Sequence, residues 1–446
     1  MFTSSTRYSS RRTAAAAALA VLLLGTAATP AIAEGTRDDQ WFLDAMHAEE
    51  IWHTSTGEGV KVAVIDSGVD PANPDLKGRV LPGRDFAVDQ PGDEHTDYDG
   101  HGTGMAGLIA GTGAYGGGKG AFGLAPGVKI LPVRLPRDGK AANEAAGNKI
   151  FNEALAPAIR YATDQGAKVI NISSAATESS PHVAAAVEYA LDHGSLIFAG
   201  VGNNGDNANE VMYPAATPGV VGVAAVGKDL RRTAESEFGS QVDMAAPGDD
   251  LVYACGGKTG LCEGHGTSGA TALASASAAL IWSVHPDWTN NQVLRVMLNT
   301  LGAPTDGAKR NDSIGYGIVR PRIALTHPGD PGPADVYPLP DLKAAASASP
   351  STAPSEADKG ADTAPAATRD EGGDSVPWVA VVVGGAVLLA AVLVGVIVVA
   401  RRRRRAAVPP TTAVSGQLPY PAPGYGPPPG TSDPVHRPGN GPGGFF

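Results

Sequence analysis

Two kinds of apolar segment alternate through the middle of the chain. Short runs rich in β-branched residues occupy 59–65, 128–133, 168–172, 196–199 and 220–226. They lack a clean apolar–polar alternation, which predicts strands buried on both faces. Longer Ala-rich stretches of helical character lie between several of them, at 102–110, 151–165 and 182–192, with another at 269–284. Alternation of this kind predicts an α/β domain of three layers, a mainly parallel central sheet flanked by helices. In such a sheet, chemistry collects at the carboxyl ends of strands and the starts of the following helices.

The two ends of the chain break this pattern. Arg7, Arg11 and Arg12 precede an apolar run from Ala14 to Leu24, and small residues follow to Ala33. This predicts a signal peptide over 1–33. The alternative, an uncleaved anchor, is shorter than the roughly 20 residues of a spanning helix. From Trp378 to Ala400 every residue is apolar or Gly, and Arg401 to Arg405 follow directly. That predicts one transmembrane helix over 378–400 with the arginines on the cytoplasmic side, and hence a body outside the cell membrane. Residues 329–377, rich in Pro, Ala and Ser, read as an extended stalk, and the Pro/Gly-rich stretch after the arginines, to 446, as a cytoplasmic tail without a core. A single large domain over 34–328 remains.

Charge and cysteine content narrow the partners. The formal charge of −11 includes the basic flanks of both membrane segments, so the body is more acidic still and nucleic acid is excluded as a partner. The only cysteines, Cys255 and Cys262, lie close together in a region predicted to be exported. A local disulfide is the preferred reading and free thiols the alternative. The acidic loop of Asp93, Glu94, Asp97 and Asp99 lacks the ligand spacing of an EF-hand and reads as solvated, so no metal and no cofactor are expected.

Four short motifs sit where an α/β sheet would place functional groups. The first strand runs into Asp66-Ser67-Gly68, which alone suits a structural cap as well as catalysis. His101 opens a helix between Gly100 and Gly102, leaving room around its imidazole. Ser268, in Gly266-Thr267-Ser268-Gly269, stands at the start of a stretch so poor in charge that its helix must be buried all round. An N-cap serine is the plain reading there, but a helix N-terminus also supplies N–H groups and positive potential to an oxyanion. Asn203, in Gly202-Asn203-Asn204-Gly205, follows a strand as an oxyanion-hole side chain would.

In the order Asp, His, Asn, Ser these motifs resemble the subtilisin family over about 40–325. The resemblance implies a serine endopeptidase with catalytic Asp66, His101 and Ser268, an oxyanion hole at Asn203, and a substrate strand formed by Ser173, Ser174, Ala175, Gly200, Val201 and Gly202. Within that family the segment QWFLDAMHAEEIW, the single span after a Pro-rich stalk, the GYGIVRP ending and the cysteines beside the nucleophile are similar to the mycosins of type VII secretion. A membrane secretion complex is therefore an expected partner besides protein substrates, and a structural role in it with proteolysis dispensable is the alternative function. Departures from the family pattern are Ala272 and Leu273, where Pro and His are common, and Ser173-Ser174-Ala175, where Ser-Leu-Gly is usual. Ala175 adds a Cβ where a substrate backbone would approach, so pocket specificity does not transfer. A GxSxG elbow, expected of an esterase, does not surround Ser268.

Overall fold

The computed structural model describes residues 35–137, 141–256 and 260–348, and the predicted signal peptide, transmembrane helix and tail lie outside the described residues. Seven strands form one sheet: β1 Lys61–Asp66, β2 Arg84–Asp85, β3 Lys129–Arg134, β4 Val169–Ile172, β5 Leu196–Gly200, β6 Val220–Val226 and β7 Met244–Pro247. Their order is β2-β3-β1-β4-β5-β6-β7, and every neighbouring pair is parallel. After β1 the chain goes to the sheet edge as β2, returns as β3 between β2 and β1, then crosses to the other side of β1 for β4. The reversal beside β1 is the kind of switch point at which open α/β sheets place their sites.

Burial on both faces explains why the strands show no alternation. Val62 and Val64 of β1 belong to one hydrophobic cluster, with α1 (His101–Ala110) and residues that include Ala270 and Leu273. Ala63 and Ile65 belong to the other, with α2 (Glu144–Asp164) and α3 (Pro181–Asp192). Helix α2 starts at Glu144, earlier than the apolar pattern suggests, because Asn143 caps it by accepting the Ala146 N–H at 2.9 Å. Its first residues, Glu144 to Lys149, carry no large apolar side chain and so leave no apolar signature.

Helix α4, Thr267–Val284, runs along the first of these faces and is buried at every residue from Thr267 to Trp282. Its Ala and Ser side chains are small enough to let it lie close to the sheet. The buried hydroxyls are satisfied: Thr271 donates to the Thr267 carbonyl and Ser277 to the Leu273 carbonyl, each at 2.7 Å, and Ser275 donates to Asn171 Oδ1 at 3.0 Å. Polar atoms are therefore carried into the core without being orphaned.

Segments with weak sequence signals complete the body. An antiparallel hairpin, β8 Leu251–Ala254 and β9 Leu261–Gly264, follows β7. Helix α5, Asn290–Thr300, begins with a capping box between Thr289 and Gln292. Helix α6 is Pro321–Thr326. The described part of the segment expected to be stalk differs from that expectation. Residues 329–348 pack on the body and end in α7, Asp341–Ala348. Arg295 donates to the carbonyls of Pro331 and Pro333, Asp341 accepts the Gly219 N–H at 2.6 Å, and Leu339 is 2% exposed. Thr289 and Asn291 also donate to the Ala334 carbonyl and Gln292 to that of Gly332, so side chains at the start of α5 hold a Pro-rich chain that has no periodicity of its own.

The entry segment is also fastened to the body. Gln40 is fully buried and donates to the carbonyls of Phe122 and Val252 at 2.8 and 2.9 Å, while its Oε1 accepts the Phe122 N–H at 2.9 Å. Trp41 and Trp52 donate to the carbonyls of Asp249 and Leu124. Replacing Gln40 by Ala orphans three part-buried backbone groups, at about 1–3 kcal/mol for the worst placed of them. Gln40→Ala is expected to lower the guanidinium midpoint clearly, and an unchanged midpoint contradicts this account of the arm.

Candidate active site

Asp66 ends β1 at the carboxyl edge of the sheet and is 2% exposed. His101 is the first residue of α1, and its Nδ1 lies 2.8 Å from Asp66 Oδ1 and 3.0 Å from Oδ2. A carboxylate accepts here, so Nδ1 carries the hydrogen and Nε2 is the basic atom. Close approach of α1 to β1 depends on Gly102. A Cβ there would stand 2.2 Å from the Gly68 carbonyl oxygen and 3.1 Å from Asp66 Cβ.

The acidic loop is not simply solvated, as its composition suggests. Asp97 accepts N–H groups from Gly100 and Thr103, both at 2.8 Å, and the Ser67 hydroxyl at 2.7 Å. Asp99 accepts the His101 N–H at 3.0 Å. These carboxylates cap the start of α1 and hold it in place. Burial alone would push the imidazole pKa down. The charge and hydrogen bond of Asp66, with smaller contributions from Asp99 and Asp97, outweigh burial and hold it above the ordinary 6.5.

Ser268 is the second residue of α4 and 9% exposed. Its hydroxyl donates to the Ser173 carbonyl at 3.2 Å, and the Ser173 hydroxyl donates to the Ser268 carbonyl at the same distance. This reciprocal pair ties the end of β4 to the start of α4. To pass its proton to His101 Nε2, the Ser268 hydroxyl has to leave the Ser173 carbonyl. Asn203 Oδ1 accepts the Thr267 N–H at 2.8 Å, which assigns the amide oxygen and makes the NH2 its donor end. His101, Asn203 and Ser268 line one pocket.

The six residues predicted to bind substrate divide differently. Val201 is buried in the core, and Gly200 and Gly202 are buried beneath the start of α4, where Gly202 N–H lies 3.4 Å from Thr267 Oγ1. Ser173 is buried, whereas Ser174 and Ala175 are part-exposed. None of the six lines the pocket itself. Tyr253 and His265, absent from the sequence reading, do line it. His265 Nδ1 sits 2.8 Å from both carboxylate oxygens of Glu235, 30 positions away. Nothing local marks that pair in the sequence, although His265 stands just before the serine motif. Cys255 and Cys262 form a disulfide across the ends of β8 and β9, with Cα atoms 5.8 Å apart.

Comparison with known proteins places this geometry in a family. Residues 57–317 match the model of the subtilase family of peptidases, and the chain belongs to that family. It is 32% identical over 319 residues to fervidolysin of Fervidobacterium pennivorans, covering 66% of this chain and 45% of that protein. Among solved structures it is similar to MycP1 from Mycobacterium smegmatis, with 30% identity and a TM-score of 0.57, covering 67% of this chain and 87% of that one. A chain of the periplasmic assembly from the ESX-5 inner membrane complex has 27% identity and a TM-score of 0.57, covering 73% of this chain and 89% of that one. The mycosin likeness expected from the entry segment and the GYGIVRP ending is thus met by solved mycosin structures.

A base whose pKa is raised is protonated, and useless, over a wider range of acid pH. The acid limb of kcat/KM on a peptide substrate is expected to have its midpoint above pH 6.5 and to rise with pH through it. Asp66→Asn is expected to lower kcat by about 10,000-fold, because Nδ1 then loses its charged acceptor. A midpoint below 6.5, or a loss under tenfold, contradicts the assignment.

Proposed function

We propose that this protein is a membrane-anchored serine endopeptidase that cleaves exported proteins outside the cell through an acyl-enzyme. The observation that carries the reading is the arrangement of His101. One ring nitrogen is held by Asp66, and the ring lines the pocket that Asn203 and Ser268 share. His101 takes the proton of Ser268 as its oxygen attacks a peptide carbonyl, and later gives it to the leaving amine. Asp66 keeps the tautomer and stabilises the imidazolium. Developing charge on the carbonyl oxygen is met by the Asn203 amide and the N–H of Ser268 at the start of α4. The segment Ser173–Ala175, beside the nucleophile and laced to it through Ser173, guides the acyl side of the substrate.

The membrane anchor and outward-facing topology rest on the apolar run 378–400, the five arginines after it and the leader at 1–33. Among the described residues no helix is long and apolar enough to cross a membrane. Association with a type VII secretion complex is supported by the likeness to MycP1 and to a chain of the ESX-5 complex. That second likeness also favours a structural role in such a complex, which proteolysis accompanies.

A fluorophosphonate probe applied to membranes is expected to label the native protein and to leave Ser268→Ala unlabelled. Labelling that survives the substitution overturns the nucleophile. Asn203→Ala is expected to cost about 100- to 1,000-fold in kcat, the size of effect known for a subtilisin oxyanion-hole donor. If Ser268→Ala and a full deletion impair assembly of the secretion complex equally, the structural role falls.

A further inference from the structure

Behind the loop that carries Asn203 lies a buried carboxyl group. Glu237 is fully buried; the Asn204 N–H is near its carboxyl group, but neither Oε1 nor Oε2 makes a hydrogen bond of good geometry. Its backbone N–H donates to the Gly202 carbonyl at 3.0 Å. The carboxyl group presses on Gly202, where a Cβ would stand 2.5 Å from Cδ and from both oxygens. Gly202 has φ +112 and reaches Thr267 Oγ1 through its N–H, and the next residue, Asn203, holds the Thr267 N–H. The Glu237 carboxyl, Gly202, Asn203 and the first residue of α4 are therefore in unbroken contact, from the buried acid to the oxyanion position.

An ionised carboxylate in this place has only the Asn204 N–H to offset its desolvation. Burial raises its pKa to about 7, with the backbone N–H of Asn204 opposing the rise and the Glu210 carboxylate adding to it. The charged groups around it do not supply a counter-ion. Glu210 accepts from Asn204 Nδ2, Glu235 is paired with His265, and Arg232 donates to the backbone carbonyls of Thr233, Ala234 and Ser236. None of the ion pairs among the described residues includes Glu237.

We propose that Glu237 is a positioning residue for the oxyanion site: as a neutral acid it backs Gly202 and keeps Asn203 in register, and loss of its proton weakens oxyanion stabilisation. The inference rests on the reading of Asn203 as an oxyanion donor. A negative charge behind the loop opposes a second one forming in front of it, and in a low-dielectric setting that repulsion is weakly screened. Binding of the uncharged substrate carbonyl is hardly affected, so the effect falls on kcat and spares KM.

The experiment compares kcat and KM of the full-length protein and Glu237→Gln on one peptide from pH 6 to pH 9. The ratio of variant to native kcat is expected to be near one at pH 6 and to grow roughly threefold or more by pH 8.5, with the KM ratio flat. Because His101 titrates in both proteins, its limb cancels in the ratio. A kcat ratio independent of pH, or a change confined to KM, overturns the proposal. Asn203→Ala run alongside separates the two readings: if it leaves kcat intact, the oxyanion assignment itself has failed. Should Glu237→Gln not fold, Glu237→Met is the second neutral variant. Carbon-13 NMR of glutamate labelled at Cδ in the unsubstituted protein reads the titration directly. A resonance moving near pH 7 is expected, and its absence overturns the proposal.

Discussion

A helix with no exposed face has no freedom to slide or roll, and that constraint governs the start of α4. From Thr267 to Trp282 its residues are buried against the sheet and α1, and outside itself it is bonded through Ser275 to Asn171, through Ser268 to Ser173 and through the Thr267 N–H to Asn203. Shifting the helix by one residue would break these outside contacts and leave buried groups unpaired, at about 1–3 kcal/mol each. Ser268 is thereby placed within reach of two strand ends and the start of α1. Ser173 after β4 receives its hydroxyl, Asn203 after β5 receives the preceding N–H, and His101 lines the same pocket from the first residue of α1.

Each partner is then held by something other than the pocket. Asp66 is fixed as the last residue of β1 and by the N–H of Ser67. Asp97 and Asp99 anchor the backbone on either side of His101, so the imidazole is aimed by capping interactions and needs no substrate to order it. Gly102 removes the Cβ that would keep α1 away from the strand. On the proposed reading such a site is preorganised for acyl transfer, with charges and donors in position before charge develops. The adjustment left to make is the release of the Ser268 hydroxyl from the Ser173 carbonyl.

The core strands and the main helices were legible because burial on both faces writes itself as uninterrupted β-branched runs, and Ala-rich segments as buried helices. The Asp66, His101, Asn203 and Ser268 motifs were legible for a related reason: each residue stands within two positions of a Gly at a boundary between elements. What escaped depends on distance in space. The Glu235–His265 pair, the buried Glu237 beneath Gly202 and the packing of residues 329–348 join positions far apart in the chain, and none changes local periodicity. The acidic loop was misjudged because composition cannot tell a carboxylate in water from one that caps a helix. Strand β7 and the β8–β9 hairpin are short, and their signal was lost among Gly and Pro.

The central claim is that Ser268, Asn203 and His101 serve one acyl-transfer centre. A structure of the protein soaked with a peptide boronic acid tests it most directly, because boron mimics the tetrahedral carbon. The account predicts a covalent bond from Ser268 Oγ to boron, loss of the hydroxyl contact to the Ser173 carbonyl, and one boronate oxygen within about 3 Å of the Asn203 amide nitrogen and the Ser268 N–H. A boronate bound away from Ser268, or one whose oxygen turns away from Asn203, would contradict it.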